Sequence, residues 1–229
     1  MNRSHLRVRS CWLGSVPYRQ AWDLQRSLVE QVRADDAPDT LLLLEHPHVY
    51  TMGRKGTAEH LLWDEAERDR RGVDLVWSDR GGDATYHGPG QLVGYPILDL
   101  SRHGLDLLVY LRTLEASLID YLAELGLAGA AVPGLTGVWV SDAKVAAIGV
   151  KFNGGVVSHG FALNLTTDLE YFEGIVPCGI ADREATSVER LKGRRIATET
   201  AAHHYAEHFA KAIGVELDWK ARLPEPVGA

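Results

Sequence analysis

The stretch Lys144-Val-Ala-Ala-Ile-Gly-Val-Lys-Phe-Asn-Gly-Gly-Val-Val-Ser-His-Gly-Phe-Ala-Leu-Asn-Leu165 decides the fold. Two runs rich in β-branched and small residues, Lys144 to Phe152 and Val156 to Leu165, flank Asn153-Gly-Gly. Those turn residues tolerate the positive φ angles of a tight hairpin. Upstream, Gly137 to Ser141 reads as a third strand, joined to the pair through Ser-Asp-Ala. A two-residue turn at Asn153-Gly154 pairs Ile148 with His159 and Lys144 with Leu163, which puts Lys144 and His159 on one sheet face.

Helical periods appear on either side of this hairpin. Ala21, Leu24, Leu28 and Val32 recur between Pro17 and Pro38, and a long apolar stripe from Asp106 to Leu125 stops at Gly126. His60 to Arg71 reads as a short helix, and Thr198 to Ile213 as a last one before Gly214. Leu6 to Leu13 is strand-like, and Thr40 to Leu44 is a continuous apolar run expected to be a central strand buried on both faces. Helices interspersed with hairpin-linked strands predict an α/β (α+β) fold, a mixed and mainly antiparallel sheet flanked by helices. No repeat or linker composition divides the chain, so residues 1–229 are expected to form one domain, with loose ends at about 1–10 and 220–229.

The chain has 229 residues and a net charge of −7, which does not advertise nucleic-acid binding. No apolar run approaches the roughly 20 residues that span a bilayer, so no membrane association is expected. Two cysteines without a signal-peptide core predict free thiols in a reducing compartment, the cytoplasm. The basic clusters Arg68-Asp-Arg-Arg71 and Lys192-Gly-Arg-Arg195 read as solvated faces.

Chemistry concentrates in four places. Arg80-Gly-Gly-Asp-Ala-Thr-Tyr-His-Gly-Pro-Gly-Gln91 lies between the strand-like runs Val73 to Trp77 and Leu92 to Leu98. Glycines this dense let backbone amides approach a ligand, so the stretch reads as a binding wall. Cys178, between Pro177 and Gly179 in an irregular polar segment, is either a small buried hydrophobe or a nucleophile, and the segment weakens the first reading. Cys11, beside Trp12 in an alternating run, keeps the structural reading. Lys144 either snorkels to solvent or sits partly desolvated, where it would exchange protons. His87 and His159 lack a third ligand at a recognisable spacing, which argues against a metal. His46-Pro-His48 and His203-His204 read as loop and helix-surface residues.

These residues together resemble the lipoyl(octanoyl) transferases, the octanoyltransferases of lipoate biosynthesis. The resemblance is carried by Arg80 to Leu92, Lys144 to Lys151, His159-Gly-Phe-Ala-Leu-Asn164 and Pro177-Cys-Gly-Ile180, in order, within about Thr40 to Leu191. It implies a fold related to biotin protein ligases and lipoate ligases. It also implies that Cys178 takes the octanoyl group as a thioester, while Lys144 lowers the pKa of that thiol and moves protons. The acyl-binding walls would be Arg80, Gly81, Gly82, Asp83, Ala84, Thr85, Tyr86 and His87, facing Ala147, Ile148, Gly149, His159, Gly160, Phe161 and Ala162. The implied donor is octanoyl-acyl-carrier protein. The implied acceptors are lipoyl domains of 2-oxoacid dehydrogenase E2 subunits and the glycine cleavage H protein, with no metal and no cofactor.

An ATP-dependent lipoate or biotin ligase of the same fold is the alternative enzyme and would not need Cys178. Ligases resembling this stretch tend to carry His-Asp where this chain has His87-Gly-Pro-Gly90. A non-catalytic lipoyl-domain-binding module is the alternative outside enzymes, and the presence of both Cys178 and Lys144 argues against it.

Overall fold

The computed structural model describes residues 6–176 and 184–220. Its strands are β1 (Arg7–Ser15), β2 (Thr40–Glu45), β3 (Val49–Met52), β4 (Asp74–Trp77), β5 (Ala84–His87), β6 (Gln91–Asp99), β7 (Gly129–Val132), β8 (Leu135–Val140), β9 (Ala143–Asn153), β10 (Val156–Asn164) and β11 (Glu216–Trp219). The helices are α1 (Tyr18–Arg33), α2 (Glu65–Arg70), α3 (Leu100–His103), α4 (Leu107–Glu124), α5 (Val188–Lys192) and α6 (Thr198–Ile213). A large sheet runs β11-β1-β2-β6-β10-β9-β8-β7, and a small one runs β4-β3-β5. In the large sheet β1 pairs in parallel with β11 and β2, and every other neighbouring pair is antiparallel.

β2 shows why the sheet is covered on both faces. Leu41 and Leu43 join the core that α4 and α6 bury, whereas Leu42 and Leu44 join the core under α1. The period-two alternation of a strand sends successive side chains to opposite sides, so a run of four leucines must be apolar on both. On one face α4 contributes Tyr110, Leu114, Leu118 and Tyr121, and α6 contributes Ala202, Tyr205 and Phe209. On the other, Ala21, Leu28 and Val32 of α1 lie on Val93, Tyr95 and Ala162. The Asp106 carboxylate accepts the Val109 N–H at 2.8 Å and starts α4 as an N-cap.

The central hairpin forms as a hairpin but in a different register. Val156 pairs with Asn153, His159 with Val150 and Phe161 with Ile148, two residues from the register that a turn at Asn153-Gly154 would give. The turn is Gly154-Gly155, with φ of 59° and 89°. A two-residue turn with positive φ at both central positions takes Gly-Gly without cost, while Asn153 stays extended in the ladder. A shift of two keeps every side chain on its face.

Two further expectations need correction. Arg7 to Ser10 are not a loose end, because they pair with Glu216 to Trp219 on one side and, from Arg9, with Thr40 on the other. The helix expected over His60 to Arg71 begins only at Glu65, where the Asp64 side chain accepts the Glu67 N–H at 2.9 Å. Within the glycine-rich stretch, Ala84 to His87 form a strand that pairs with Val49 to Met52. Residues 221–229 lie outside the described residues. Among the described residues no helix is long and apolar enough to cross a membrane.

Candidate active site

The glycine-rich stretch lies directly on β9. Gly81 donates its N–H to the Val150 carbonyl at 2.9 Å. A Cβ on Gly81 would sit 2.9 Å from that oxygen, and one on Gly149 2.8 Å from the Gly81 oxygen. Glycine on both sides is what lets these two backbones touch. Buried Arg80 holds the stretch in shape. Its Nε and one terminal nitrogen donate to Thr51 Oγ1 at 3.0 and 2.9 Å, that terminal nitrogen also reaches the Asp83 carbonyl at 2.6 Å, and the other donates to the Gly81 carbonyl at 3.0 Å. The small sheet is thereby tied to the large one.

Behind this wall runs a line of buried hydrogen bonds. Gln91 Nε2 donates to the Asn164 side-chain oxygen at 2.9 Å and to the Tyr86 carbonyl at 3.1 Å. Its oxygen therefore faces His87 Nδ1, 2.8 Å away, and accepts that N–H. This puts a proton on His87 Nδ1 and leaves Nε2 looking toward the Thr51 hydroxyl. Burial pushes the His87 imidazole well below its ordinary pKa, helped by His46 and Arg80.

His159 is the backbone anomaly of the sheet. It has φ of 56° in mid-strand, a left-handed conformation unusual for any residue but glycine. The β6–β10 ladder gives the reason: pairing is kept at Val157–Leu98 and at Phe161–Gly94 and lapses between them. By that register His159 lies opposite Pro96, which has no N–H to offer. That leaves the His159 carbonyl without a ladder donor there, and the His159 N–H itself donates to the Gln25 side-chain oxygen of α1, at 2.7 Å. The ring donates from Nε2 to Asp79 at 2.8 Å, and Lys151 holds the other Asp79 oxygen at 2.6 Å. Burial lowers the His159 pKa against the upward pull of Asp79. The hydrogen bond from His159 holds the Asp79 carboxyl far below the usual carboxylate range.

Lys144 stands where β8 and β9 slip. Val138 pairs with Ala146 but Trp139 with Lys144, so the bulge at Val145 re-aims the lysine. Its Nζ lies 4.8 Å from the Trp139 ring centre. A Cβ on Gly137 would press on the Ala146 oxygen at 2.6 Å, so this glycine is what lets the two backbones approach at the slip.

Together these elements enclose a narrow cavity of about 50 Å³. Arg80, Gly81, Gly82, Asp83, Ala84, Thr85, His87, Lys144, Ala147, Ile148, Gly149, His159, Gly160, Phe161 and Ala162 all line it. Of the expected wall residues, Tyr86 alone does not. Strand alternation turns it to the other side of the small sheet, where it stacks on Tyr171 at 5.2 Å and bonds His48 at 2.7 Å. Tyr18 and Tyr95 also line the cavity and went unnoticed in the sequence; the period-two pattern of β6 is the signal that points to Tyr95. His46 does lie in the loop between β2 and β3, but that loop residue is fully buried, with Nε2 2.8 Å from the Tyr95 hydroxyl. Cys178 lies outside the described residues.

The cavity opens past Gly81, Gly82, Asp83, Lys144, Ile148 and Gly149 into a groove of about 390 Å³. Lys144 therefore stands at the junction of a thin, mostly apolar tunnel and a wider channel. Among the described residues no cluster of three or more His, Cys, Asp or Glu side chains is arranged to hold a metal ion.

The neutral histidines make stability depend on pH. His46 is lowered from 6.5 to about 4 by burial, and His87 and His159 are lowered by the same cause. Each takes up a proton on unfolding below its unfolded pKa. Stability is therefore full above pH 6.5 and declines as pH falls toward about 4, by up to about 1.4 kcal/mol per pH unit for each histidine. Urea midpoints measured at about pH 7.5 and pH 5 should differ accordingly. Equal midpoints would contradict the assignment of neutral histidines.

A family model described as the lipoyl protein ligase A/B catalytic domain matches residues 17–210. The octanoyltransferase of Rubrobacter xylanophilus is 50% identical over 203 residues, covering 88% of this chain and 91% of its own. A lipoate-protein ligase A bound with ATP superposes with a TM-score of 0.75 at 17% identity, over 95% of this chain and 90% of that one. The biotin protein ligase of Aquifex aeolicus, in complex with biotin and ATP, superposes with a TM-score of 0.54 at 15% identity, over 90% and 70%. At such identities the two ligases share the fold alone. The sequence relationship goes further: the chain belongs to the octanoyltransferases of the lipoyl protein ligase A/B catalytic-domain family, and it is an acyltransferase.

Proposed function

We propose that this acyltransferase moves an octanoyl group from octanoyl-acyl-carrier protein to a lysine of lipoyl domains through a thioester on Cys178. The acceptors are lipoyl domains of 2-oxoacid dehydrogenase E2 subunits and the glycine cleavage H protein. The whole chain acts as one catalytic domain, in a reducing cytoplasm that keeps the thiol free.

One observation carries the reading. Lys144 lies at the junction of tunnel and groove, and the residues on either side of the Cys178 segment are fixed at the same rim. Val176 donates its N–H to the His60 carbonyl at 2.9 Å, and the His60 ring lies 2.7 Å from the carboxylate of the cavity residue Asp83. Beyond the segment, Lys144 donates to the Glu184 carbonyl and accepts from the Thr186 N–H, both at 2.9 Å. The described residues before the segment are thus linked through His60 to Asp83, and those after it to the Lys144 backbone, which supports bringing Cys178 to the lysine.

In the first half-reaction the Cys178 sulfur attacks the donor thioester carbonyl, and the bond from that carbon to the carrier's sulfur breaks. Lys144 takes the thiol proton and returns it to the leaving sulfur. In the second, the acceptor amine attacks the Cys178 thioester, the amide forms, and the amine's proton passes through Lys144 to the cysteine sulfur. Exchange between two thioesters is nearly balanced, and amide formation drives the whole without ATP. Oxyanion donors are expected among backbone amides of the glycine-rich wall and of Cys178 and Gly179. The tunnel lined by Ala147, Ile148, Phe161 and Ala162 takes the eight-carbon tail.

The purified protein, given octanoyl-carrier protein and an acceptor lipoyl domain, should form an octanoyl amide in the absence of ATP. Product that appears only with free octanoate and ATP would mean a ligase instead.

A further inference from the structure

Basic residues that stand out in the sequence are mostly neutralised in the fold. Arg70 and Arg71 both pair with Glu67 at 2.6 Å, and Arg195 lies 3.6 Å from Glu189. Arg54 and Lys55 differ. They are exposed, enter no ion pair among the described residues, and belong to a chain of net charge −7. Their backbone is nevertheless fixed. Arg54 N–H donates to the Arg80 carbonyl and Lys55 N–H to the Gly82 carbonyl, both at 3.0 Å, so the turn that bears them is stapled to the cavity wall. Lys55 lines the groove that continues from the tunnel.

The groove shares Lys144 with the tunnel, and Leu107, Leu111, Leu135, Val150 and Lys55 also line it. With an acyl tail in the tunnel and its thioester at Lys144, whatever carries that thioester must continue into the groove. A phosphopantetheine arm has the matching chemistry: a sulfur at one end, short methylene pairs joined by two amides and a dimethyl-bearing carbon between, and a phosphate ester at the far end. An acceptor lysine has only methylenes behind its amine and no anion to meet a cation.

We propose, resting on the octanoyl transfer above, that this groove seats the donor's phosphopantetheine arm and that Lys55, with Arg54 beside it, binds the arm's phosphate. An ammonium–phosphate hydrogen bond is stronger than a neutral one, and a fixed backbone reduces the cost of forming it. The cations also draw an acidic carrier toward a negative protein.

The test compares Cys178 acylation by octanoyl-phosphopantetheine and by octanoyl-pantetheine, followed by intact-protein mass spectrometry. Wild type should prefer the phosphorylated donor, Lys55→Ala should lose that preference by roughly tenfold, and Lys55→Arg should keep it. The proposal is overturned if wild type shows no preference or if Lys55→Ala preserves it. A Lys55→Ala variant that slows only the transfer from octanoylated enzyme to the lipoyl domain would place Lys55 at the acceptor's dock and also overturn it. No adduct on wild type from either donor would sink the underlying transfer reading itself.

Discussion

Cys178→Ala is expected to lower multiple-turnover octanoyl transfer by on the order of 10⁴-fold or more, as loss of a covalent nucleophile does elsewhere. Without the thiol, the acceptor amine must attack the carrier thioester directly. That requires two macromolecules to present their reacting groups at one opening together, and it forfeits the division of a hard step into two easier ones. No other described thiol can take over. Cys11 is fully buried in β1, separated from β10 by β2 and β6, and burial pushes its thiol pKa up. Turnover within about tenfold of wild type, measured with carrier and lipoyl domain at saturation, would remove Cys178 from the reaction.

Lys144→Ala should slow acylation by about 10²- to 10⁴-fold, the range for a lost general acid–base group. The fold should survive, because the lysine's structural bonds to Glu184 and Thr186 are made by its backbone. One contact that the variant gives up is that with the Trp139 ring, about 0.5–2 kcal/mol. Thermal unfolding near the wild-type temperature would separate a chemical defect from a folding one. Alkylation of Cys178 should also require a higher pH in the variant, since a nearby ammonium favours the thiolate. An alkylation profile that overlays wild type would show that the lysine does not tune the thiol.

Much of this architecture was legible because a few residues leave little choice. Four leucines in Leu41 to Leu44 can only be a strand covered on both sides, and Asp106 and Gly126 bracket α4 as cap and stop. The hairpin was legible to its parity but not to its register, since Asn-Gly and Gly-Gly both make two-residue turns and only the φ angles at Gly154 and Gly155 separate them. β5 was hidden because a stretch read for its glycines was not read for the alternation of Ala84 to His87, and the same oversight put Tyr86 on the cavity side. β7 and β11 are too short, and too ordinary in composition, to stand out.

At the site, residue identity told more than residue environment. His87 and His159 were visible as candidates, but the Gln91 tautomer lock and the left-handed turn opposite Pro96 depend on contacts between distant strands. His46 looked like punctuation beside Pro47 and is instead a core hydrogen-bonding partner of Tyr95. The arginine clusters are the solvated faces that their composition suggested, with Arg70 and Arg71 paired to Glu67 and Arg195 beside Glu189, whereas nothing in the sequence marks out exposed Arg54 and Lys55, of which Lys55 lines the groove.

The account stands or falls on the acyl-enzyme. Wild-type protein incubated with octanoyl-carrier protein, without acceptor, should gain the mass of one octanoyl group. That group should be removed by hydroxylamine, mapped to Cys178, and chased onto a lipoyl-domain lysine when acceptor is added. Amide product forming at the normal rate from a wild-type enzyme that never carries this adduct would contradict it.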